Sequence, residues 1–167
     1  MDFENSSSNK QAPISDDLII VETPIQTSSA WEDCLLFFYG TLTIPHVLQE
    51  VLALSAIPTL IPASIHSYTI KLWGPYPALV PSDSVSRVGG MVFKVETRKQ
   101  LHKLERYEGG NYLLKRCRVK VGDEDALVDG WTFVWDGTDG ELKEGTFDAN
   151  MFPKRKNRRR GAYDSSF

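Results

Sequence analysis

The sequence predicts an α+β fold in which a closed or nearly closed sheet carries helices on its outside. Most of its apolar segments have the length and alternation of strands, whereas only two or three have helical spacing. Hydrophobic residues make up 41% of the 167 residues and aromatic residues 11%, which is enough for a packed core. Polar segments at both ends leave about 120 residues between them, which is the size of one domain.

The first half of this domain is predicted to contain a strand, a helix and an extended ribbon. The apolar run over residues 35–39 is typical of a buried strand. Thr43 is predicted to cap the following helix, with Pro45 in its first turn. Apolar residues then recur at helical spacing over residues 47–54. The segment Thr59–Trp73 is rich in Ile, Tyr and Thr, which favours an extended ribbon.

The second half is predicted to contain four strands and one further helix. The strands span residues 78–80, 89–95, 112–121 and 126–135. The last two are expected to pair as a hairpin, because only an acidic turn at residues 122–125 separates them. The helix follows its N-cap Thr97, continues through Tyr107 and ends at Gly109 and Gly110.

The two ends of the chain are polar and are predicted to lie outside the folded domain. Residues 1–31 combine Ser, Thr, Asp, Asn and Pro with one short apolar patch, so we expect this segment to be mostly disordered. Residues 153–167 contain six basic residues and one acidic residue, and the basic run at 154–160 is expected to be solvated. The predicted domain therefore spans residues 32–152.

The composition limits the partners and the compartment of the protein. The net charge is −3 and the domain itself is acidic, so nucleic-acid binding is not expected except through residues 154–160. Cys34 and Cys117 are too few for a disulfide scaffold and fit a reducing compartment. No apolar run approaches the ~20 residues that cross a bilayer. We expect a cytoplasmic protein without a membrane partner, with the basic tail as an alternative signal for the nucleus.

Glu108 is the candidate catalytic residue. Leu101 and Leu104 mark the inward face of the second helix, and at ~100° per residue Glu108 falls within ~40° of both. Burial would raise the pKa of such a carboxyl, which suits proton transfer near neutral pH. By helix position alone, a solvated glutamate at a frayed helix end is the more common case, so both interpretations stay open at this point.

The turn Tyr39-Gly40-Thr41-Leu42-Thr43 leads from the first strand into the first helix. Its backbone N–H groups are suited to hold a carboxylate or a developing oxyanion. It lacks the second glycine and the Gly-Lys-Ser/Thr ending of a phosphate-binding loop. A single glycine in such a turn is common, so the turn alone indicates little.

Taken together, these blocks resemble the gamma-glutamylcyclotransferase-like superfamily, and more closely its avirulence-induced-gene branch. The resemblance rests on Tyr-Gly-Thr-Leu at 39–42 and on Tyr-Glu-Gly at 107–109 with Tyr112 behind it. It extends from about Leu35 to Phe147 and includes the blocks at 73–79, 88–93 and 130–133. The resemblance implies a small mixed β-barrel with flanking helices, and it favours the catalytic interpretation of Glu108.

The resemblance also implies an enzyme that needs no cofactor or metal. Such enzymes cyclise a γ-glutamyl amide or peptide, in an acyl-transfer or lyase-type reaction, to 5-oxoproline and a free amine or amino acid. The implied roles are general acid and base for Glu108, substrate binding for Tyr39, Gly40, Thr41, Leu42, Thr43 and Ile44, and pocket walls for Tyr76 and Tyr112. The three histidines have no metal-ligand spacing.

Two other functions stay open from the sequence. Members of the branch often carry an arginine two residues after the tyrosine that matches Tyr112, where this chain has Leu114. That departure fits a catalytically inactive module of the same fold that binds a small γ-glutamyl-like ligand or carboxylate. The basic run at 154–160 fits an interaction protein that acts through its tail. The sequence does not determine the leaving group or the oligomeric state.

Overall fold

A computed structural model describes residues 30–151, so the expectations for residues 1–29 and for the basic tail lie outside the described residues. The strands are β1 Cys34–Phe38, β2 Ile61–His66, β3 Tyr68–Trp73, β4 Tyr76–Pro81, β5 Arg87–Val95, β6 Tyr112–Val121 and β7 Leu127–Trp135. The helices are α1 Pro45–Leu52 and α2 Arg98–Glu108. Short 3₁₀ turns lie at Thr41–Thr43, Asp139–Glu141 and Ala149–Met151. The predicted α+β class is confirmed.

Five of the strands close into a barrel in the order β1-β5-β2-β6-β7. β1 and β7 pair in parallel, and the other neighbours are antiparallel, so the barrel is mixed. At the parallel seam the buried hydroxyl of Thr132 donates a hydrogen bond of 3.0 Å to the carbonyl oxygen of Phe37. The small mixed barrel that the resemblance implied is therefore present, and β6 and β7 form the predicted hairpin.

The ribbon predicted over residues 59–73 is interrupted. Ser67 has a φ of 66°, and this left-handed residue separates β2 from β3. β2 pairs within the barrel, whereas β3 pairs with β4 in a separate two-stranded sheet and forms one further bridge, from Leu72 to Lys143. Residues on both sides of the break have strand-forming side chains, so the composition of the segment could not reveal it.

Thr43 does not cap α1, which corrects the prediction. Ile44 occupies the N-cap position, and no side chain caps the helix there. The Thr43 hydroxyl instead donates a hydrogen bond of 2.6 Å to the carbonyl oxygen of Gly40, one turn earlier. Thr97 does cap α2 as predicted, because its hydroxyl accepts a hydrogen bond of 3.1 Å from the backbone N–H of Gln100.

The side chains of β1 alternate between two apolar clusters, as the two-residue period of a strand requires. Leu36 and Phe38 pack with the inward leucines of both helices. Phe37 packs in a second cluster with residues of all five barrel strands and of β4. The helices are thus anchored on one side of β1, directly beside the turn that follows it. Neither helix of the described chain is long and apolar enough to cross a membrane.

Candidate active site

A cavity of about 1020 Å³ lies where the turn after β1, helix α1, the end of α2 and the β3–β4 hairpin meet. Seven of the nine site residues named from the sequence line it, namely Tyr39, Gly40, Thr41, Ile44, Tyr76, Glu108 and Tyr112. The other two do not line it. Leu42 is buried in the core beside α1, and the hydroxyl of Thr43 turns back to Gly40.

Glu108 is the last residue of α2, and its carboxyl reaches the wall of the cavity. The side chain of Leu104, one turn earlier, is fully buried and fixes the inward face of the helix. Burial raises the pKa of Glu108 to about 7. The described residues provide no ion-pair partner for this carboxyl, so no neighbouring cation offsets the effect of burial.

Glu105, one turn before Glu108, is in a different environment. Its carboxylate lies 3.1 Å from Nδ1 of His102 on the outer side of α2. It does not line the cavity. Its side chain remains 41% exposed, which fits the solvated helix residue expected from the sequence. Glu105 therefore offers a matched control for any change made at Glu108.

Two tyrosine hydroxyls flank the Glu108 carboxyl. The hydroxyl of Tyr39 donates a hydrogen bond of 2.6 Å to the carbonyl oxygen of Phe133, and that of Tyr112 donates one of 2.9 Å to the carbonyl oxygen of Pro77. Burial raises the pKa of both phenols well above the usual value, and the nearby charge of Glu108 raises it further. Both phenols are therefore neutral donors at physiological pH, and their protons are already engaged by carbonyl oxygens.

The turn after β1 has fewer available N–H groups than the sequence suggested. The N–H of Thr43 donates to the carbonyl oxygen of Gly40, and that of Ile44 donates to Thr41, each at 3.1 Å. Among the described residues, the N–H groups of Gly40, Thr41 and Leu42 have no backbone acceptor in this turn. These groups begin the 3₁₀ turn, where N–H groups are left without partners inside the helix. Of these three residues, Gly40 and Thr41 line the cavity, so their N–H groups are the candidate donors to a ligand.

The turn is held in place from two sides. A Cβ atom added to Gly40 would lie 3.1 Å from Cγ of Pro77, so the glycine allows the turn to pack closely against the hairpin. On the other side, the hydroxyls of Thr41 and Tyr107 are 2.7 Å apart and form a hydrogen bond. That bond joins the turn to α2 at the residue immediately before Glu108.

Several residues that line the cavity were not identified as site residues from the sequence patterns. Trp73 belongs to the wall, while His46, Glu50, Arg106 and Asn150 belong to the rim. The spacing of positions 46 and 50 places both on one side of α1, but helical spacing does not reveal what that side faces. Asn150 comes from a 3₁₀ turn at the end of the described chain and gives no signal in the sequence.

Position 114 does not belong to this cavity. Leu114 is partly buried and packs against the core cluster that contains Leu36 and Phe38. It is not among the residues that line the cavity. Within residues 30–151, no three His, Cys, Asp or Glu side chains are grouped so that they could hold a metal ion.

The arrangement has the fold of the gamma-glutamyl cyclotransferase-like class of proteins. A solved gamma-glutamyl cyclotransferase superposes with a TM-score of 0.53 at 16% identity, covering 62% of this chain and 67% of its own. An AIG2-like protein from Mus musculus superposes with a TM-score of 0.54 at 15% identity, covering 71% of this chain and 90% of its own. At these identities the likeness shows the fold alone.

The chain belongs to the gamma-glutamyl cyclotransferase, AIG2-like family, whose sequence model matches residues 36–150. Protein AIG2 B from Arabidopsis thaliana is 28% identical over 114 residues, which cover 68% of this chain and 66% of the relative. A further Arabidopsis thaliana protein, solved in solution, superposes with a TM-score of 0.56 at 31% identity over 66% of each chain. The chain thus spans about two thirds of the length of these two Arabidopsis thaliana relatives.

Proposed function

We propose that this protein is a γ-glutamyl cyclotransferase that converts a γ-glutamyl amide or peptide to 5-oxoproline and a free amine or amino acid. Membership of the gamma-glutamyl cyclotransferase, AIG2-like family supports this function. The observation that carries it is the placement of Glu108. Its carboxyl lies in a cavity wall without an ion-pair partner among the described residues, and its pKa is raised to about 7.

Glu108 would act as both base and acid within one turnover. Its carboxylate takes a proton from the α-ammonium of the substrate, and the resulting amine attacks the γ-carbonyl carbon. The bond from that carbon to the leaving nitrogen then breaks as the nitrogen takes a proton from Glu108. The nitrogen that attacked gives up a second proton through the same carboxylate, so that two protons in total pass from it to the departing amine, which leaves as an ammonium ion. A pKa near neutrality suits both transfers, which are worth roughly 10²–10⁴-fold in rate.

The turn after β1 would hold the reacting glutamyl group. The N–H groups of Gly40 and Thr41, which line the cavity, are the candidate donors for a carboxylate or for the oxyanion formed at the γ-carbonyl. One such donor typically contributes about 3–4 kcal/mol to transition-state stabilisation. Holding the substrate folded, with its amine near its own carbonyl, supplies much of the remaining acceleration. The substrate provides its own nucleophile, so the mechanism uses no protein nucleophile.

The test is the release of 5-oxoproline from a panel of γ-glutamyl amino acids, γ-glutamylamines and glutathione. We expect the protein to release 5-oxoproline from at least one compound of the panel, at a rate proportional to enzyme concentration. The catalytically inactive alternative predicts a different result, in which panel compounds raise the melting temperature but no 5-oxoproline forms. Absence of both turnover and thermal stabilisation would contradict the proposed substrate class.

The free thiols of Cys34 and Cys117 support a reducing, cytoplasmic setting for the reaction.

A further inference from the structure

Four aromatic side chains form a continuous row beside the cavity. Tyr112 and Trp135 meet edge to face with ring centroids 5.6 Å apart. Trp135 is followed by Trp73 at 5.2 Å, and Trp73 by Tyr76 at 6.2 Å. These spacings lie in the range in which aromatic pairs attract one another. Three of the four residues, all except Trp135, line the cavity.

The row lies near Glu108 and also reaches solvent. Tyr112 is close enough to Glu108 for the carboxylate charge to raise the pKa of its phenol. At the other end, Tyr76 is 47% exposed although it is a large aromatic residue. The row therefore borders the proposed reaction centre through Tyr112 and is open to solvent at Tyr76. The turn that would hold the glutamyl group meets the same hairpin where Gly40 packs against Pro77, so the row lies next to that turn on the cavity wall.

The row is held in a fixed position. The hydroxyl of Tyr112 donates to the carbonyl oxygen of Pro77 and so ties the barrel strand β6 to the hairpin strand β4. Leu72, next to Trp73, exchanges two backbone hydrogen bonds of 2.8 Å with Lys143. A wall that is already ordered binds a ligand at a lower entropic cost than a wall that must first be ordered.

The rest of the cavity lining combines apolar surface with a polar rim. Val47 and Val51 add apolar surface from α1. The rim carries an acidic residue, Glu50, and a basic residue, Arg106, both exposed to water, so it does not present charge of one sign. A glutamyl group alone would fill only a small part of a cavity of about 1020 Å³. Much of the cavity, including its aromatic wall, is thus available to the group that leaves.

We propose that the row Tyr112–Trp135–Trp73–Tyr76 forms a subsite for the leaving group and selects amines or amino acids with an apolar or aromatic side chain. This inference rests on the proposed cyclotransferase function, because it assigns the outer part of the same cavity. Burial of such a side chain against the row removes apolar surface of both partners from water. A charged side chain would lose hydration there without gaining a partner.

The test compares γ-glutamyl-phenylalanine, γ-glutamyl-glycine and γ-glutamyl-aspartate, which share the glutamyl group and the α-carboxylate of the leaving amino acid. We expect kcat/KM to be about tenfold or more higher for the phenylalanine compound than for the other two. Tyr76→Ser should bring this ratio toward one, whereas Tyr76→Phe, which keeps the ring, should preserve it. A ratio does not depend on the amount of folded enzyme, so partial unfolding cannot imitate the effect.

Binding of the same compounds, measured by calorimetry, separates this inference from the proposed function. Absence of turnover together with at least tenfold tighter binding of γ-glutamyl-phenylalanine would contradict the enzyme and support the subsite. Equal kcat/KM values in an active enzyme would overturn the subsite and leave the enzyme standing. A preference for the aspartate compound would also overturn the subsite and would indicate recognition by Arg106. If the protein shows no turnover and also no binding preference among the three compounds, both proposals are contradicted.

Discussion

At the scale of single residues, the proposed chemistry depends on Glu108, and the direction of its side chain follows from a local sequence pattern. Leu101 and Leu104 set the inward face of α2, and Glu108 continues that face into the cavity instead of the core. The sequence could therefore predict the direction of the side chain. It could not predict the raised pKa, because burial of the carboxyl depends on parts of the chain that are distant in sequence and meet at the cavity, among them the turn at Tyr39 and the start of β6 at Tyr112.

The raised pKa of Glu108 predicts a pH-dependent loss of stability. The folded protein holds this proton up to about pH 7, whereas the unfolded chain releases it near the ordinary value of 4.5. The stabilising contribution is thus fully present below pH 4.5 and is lost as the pH rises through 7. Glu108→Gln removes this loss, so the variant should be more stable than the wild type at pH 8, by about 1–3 kcal/mol.

Urea unfolding of both proteins at pH 8 and at pH 4.5 measures this difference. We expect the advantage of Glu108→Gln to shrink toward zero at the lower pH. Glu105→Gln makes the same chemical change at a solvated side chain and serves as the reference. A wild type as stable as Glu108→Gln at pH 8 would contradict the raised pKa.

At the scale of secondary-structure elements, the site lies where the end of one element meets the start of another. The cap of α2 was predictable because Thr97 bonds to Gln100 only three residues away. The start of α1 was not, because Thr43 bonds back to Gly40, which itself packs against Pro77 from a distant hairpin. The spacing of residues in the sequence thus predicts where a helix starts when the hydrogen bonds at that position join residues that are close in sequence.

The end of α2 predicts different costs for alanine at two adjacent glycines. Gly109 has a φ of 86°, a backbone conformation that alanine adopts only with strain, whereas Gly110 has no positive φ. A Cβ at either position would meet no atom within 4 Å, so the comparison isolates the backbone effect. Gly109→Ala should lower the free energy of unfolding by about 1–3 kcal/mol, and Gly110→Ala by less.

Thermal or urea unfolding of the two variants gives the comparison. Gly109→Ala should also reduce 5-oxoproline release more than Gly110→Ala does, because it disturbs the backbone next to Glu108. Equal losses of stability in both variants would contradict the explanation by backbone conformation.

Because Thr41 and Tyr107 share a hydrogen bond, substitutions at these two residues should have coupled effects on kcat/KM. Tyr107→Phe and Thr41→Val each remove this bond of 2.7 Å. Each should lower kcat/KM, by about 2–10-fold, with little change in melting temperature because the bond is exposed. The double variant should lose little more than either single variant, as expected for two residues that act through one bond. Additive losses would show that the hydroxyls act separately.

At the scale of the whole molecule, the barrel was less predictable than its strands. The hairpin of β6 and β7 follows from adjacency in sequence, and the sequence predicted it. The closing parallel pair of β1 and β7 joins Leu36 to Trp131 and Phe37 to Thr132, which no local pattern encodes. The strand pattern predicted only a closed or nearly closed sheet, and the resemblance to a family implied the small mixed barrel. No local pattern predicts the aromatic row either, because Trp73, Trp135 and Tyr112 meet only once the barrel and the hairpin have formed.

Closure of the barrel predicts that Gly90 is far less tolerant of substitution than Gly89. A Cβ on Gly90 would lie 2.0 Å from the carbonyl oxygen of Phe38, where β5 passes between β1 and β2. A Cβ on Gly89 would meet nothing within 4 Å. Gly90→Ala should therefore cost about 3 kcal/mol or more, while Gly89→Ala should stay within about 1 kcal/mol of the wild type. Similar melting temperatures for the two variants would contradict this account of the barrel.

The proton-transfer role of Glu108 is tested most directly by the rate of 5-oxoproline release from Glu108→Gln and from Glu105→Gln at pH 8. Both variants replace a carboxyl with an amide on the same helix, but only Glu108 lines the cavity. We expect Glu108→Gln to lose roughly 10²–10⁴-fold in kcat while remaining folded, and Glu105→Gln to keep a rate close to that of the wild type. A Glu108→Gln variant that releases 5-oxoproline as fast as Glu105→Gln would contradict the role assigned to Glu108.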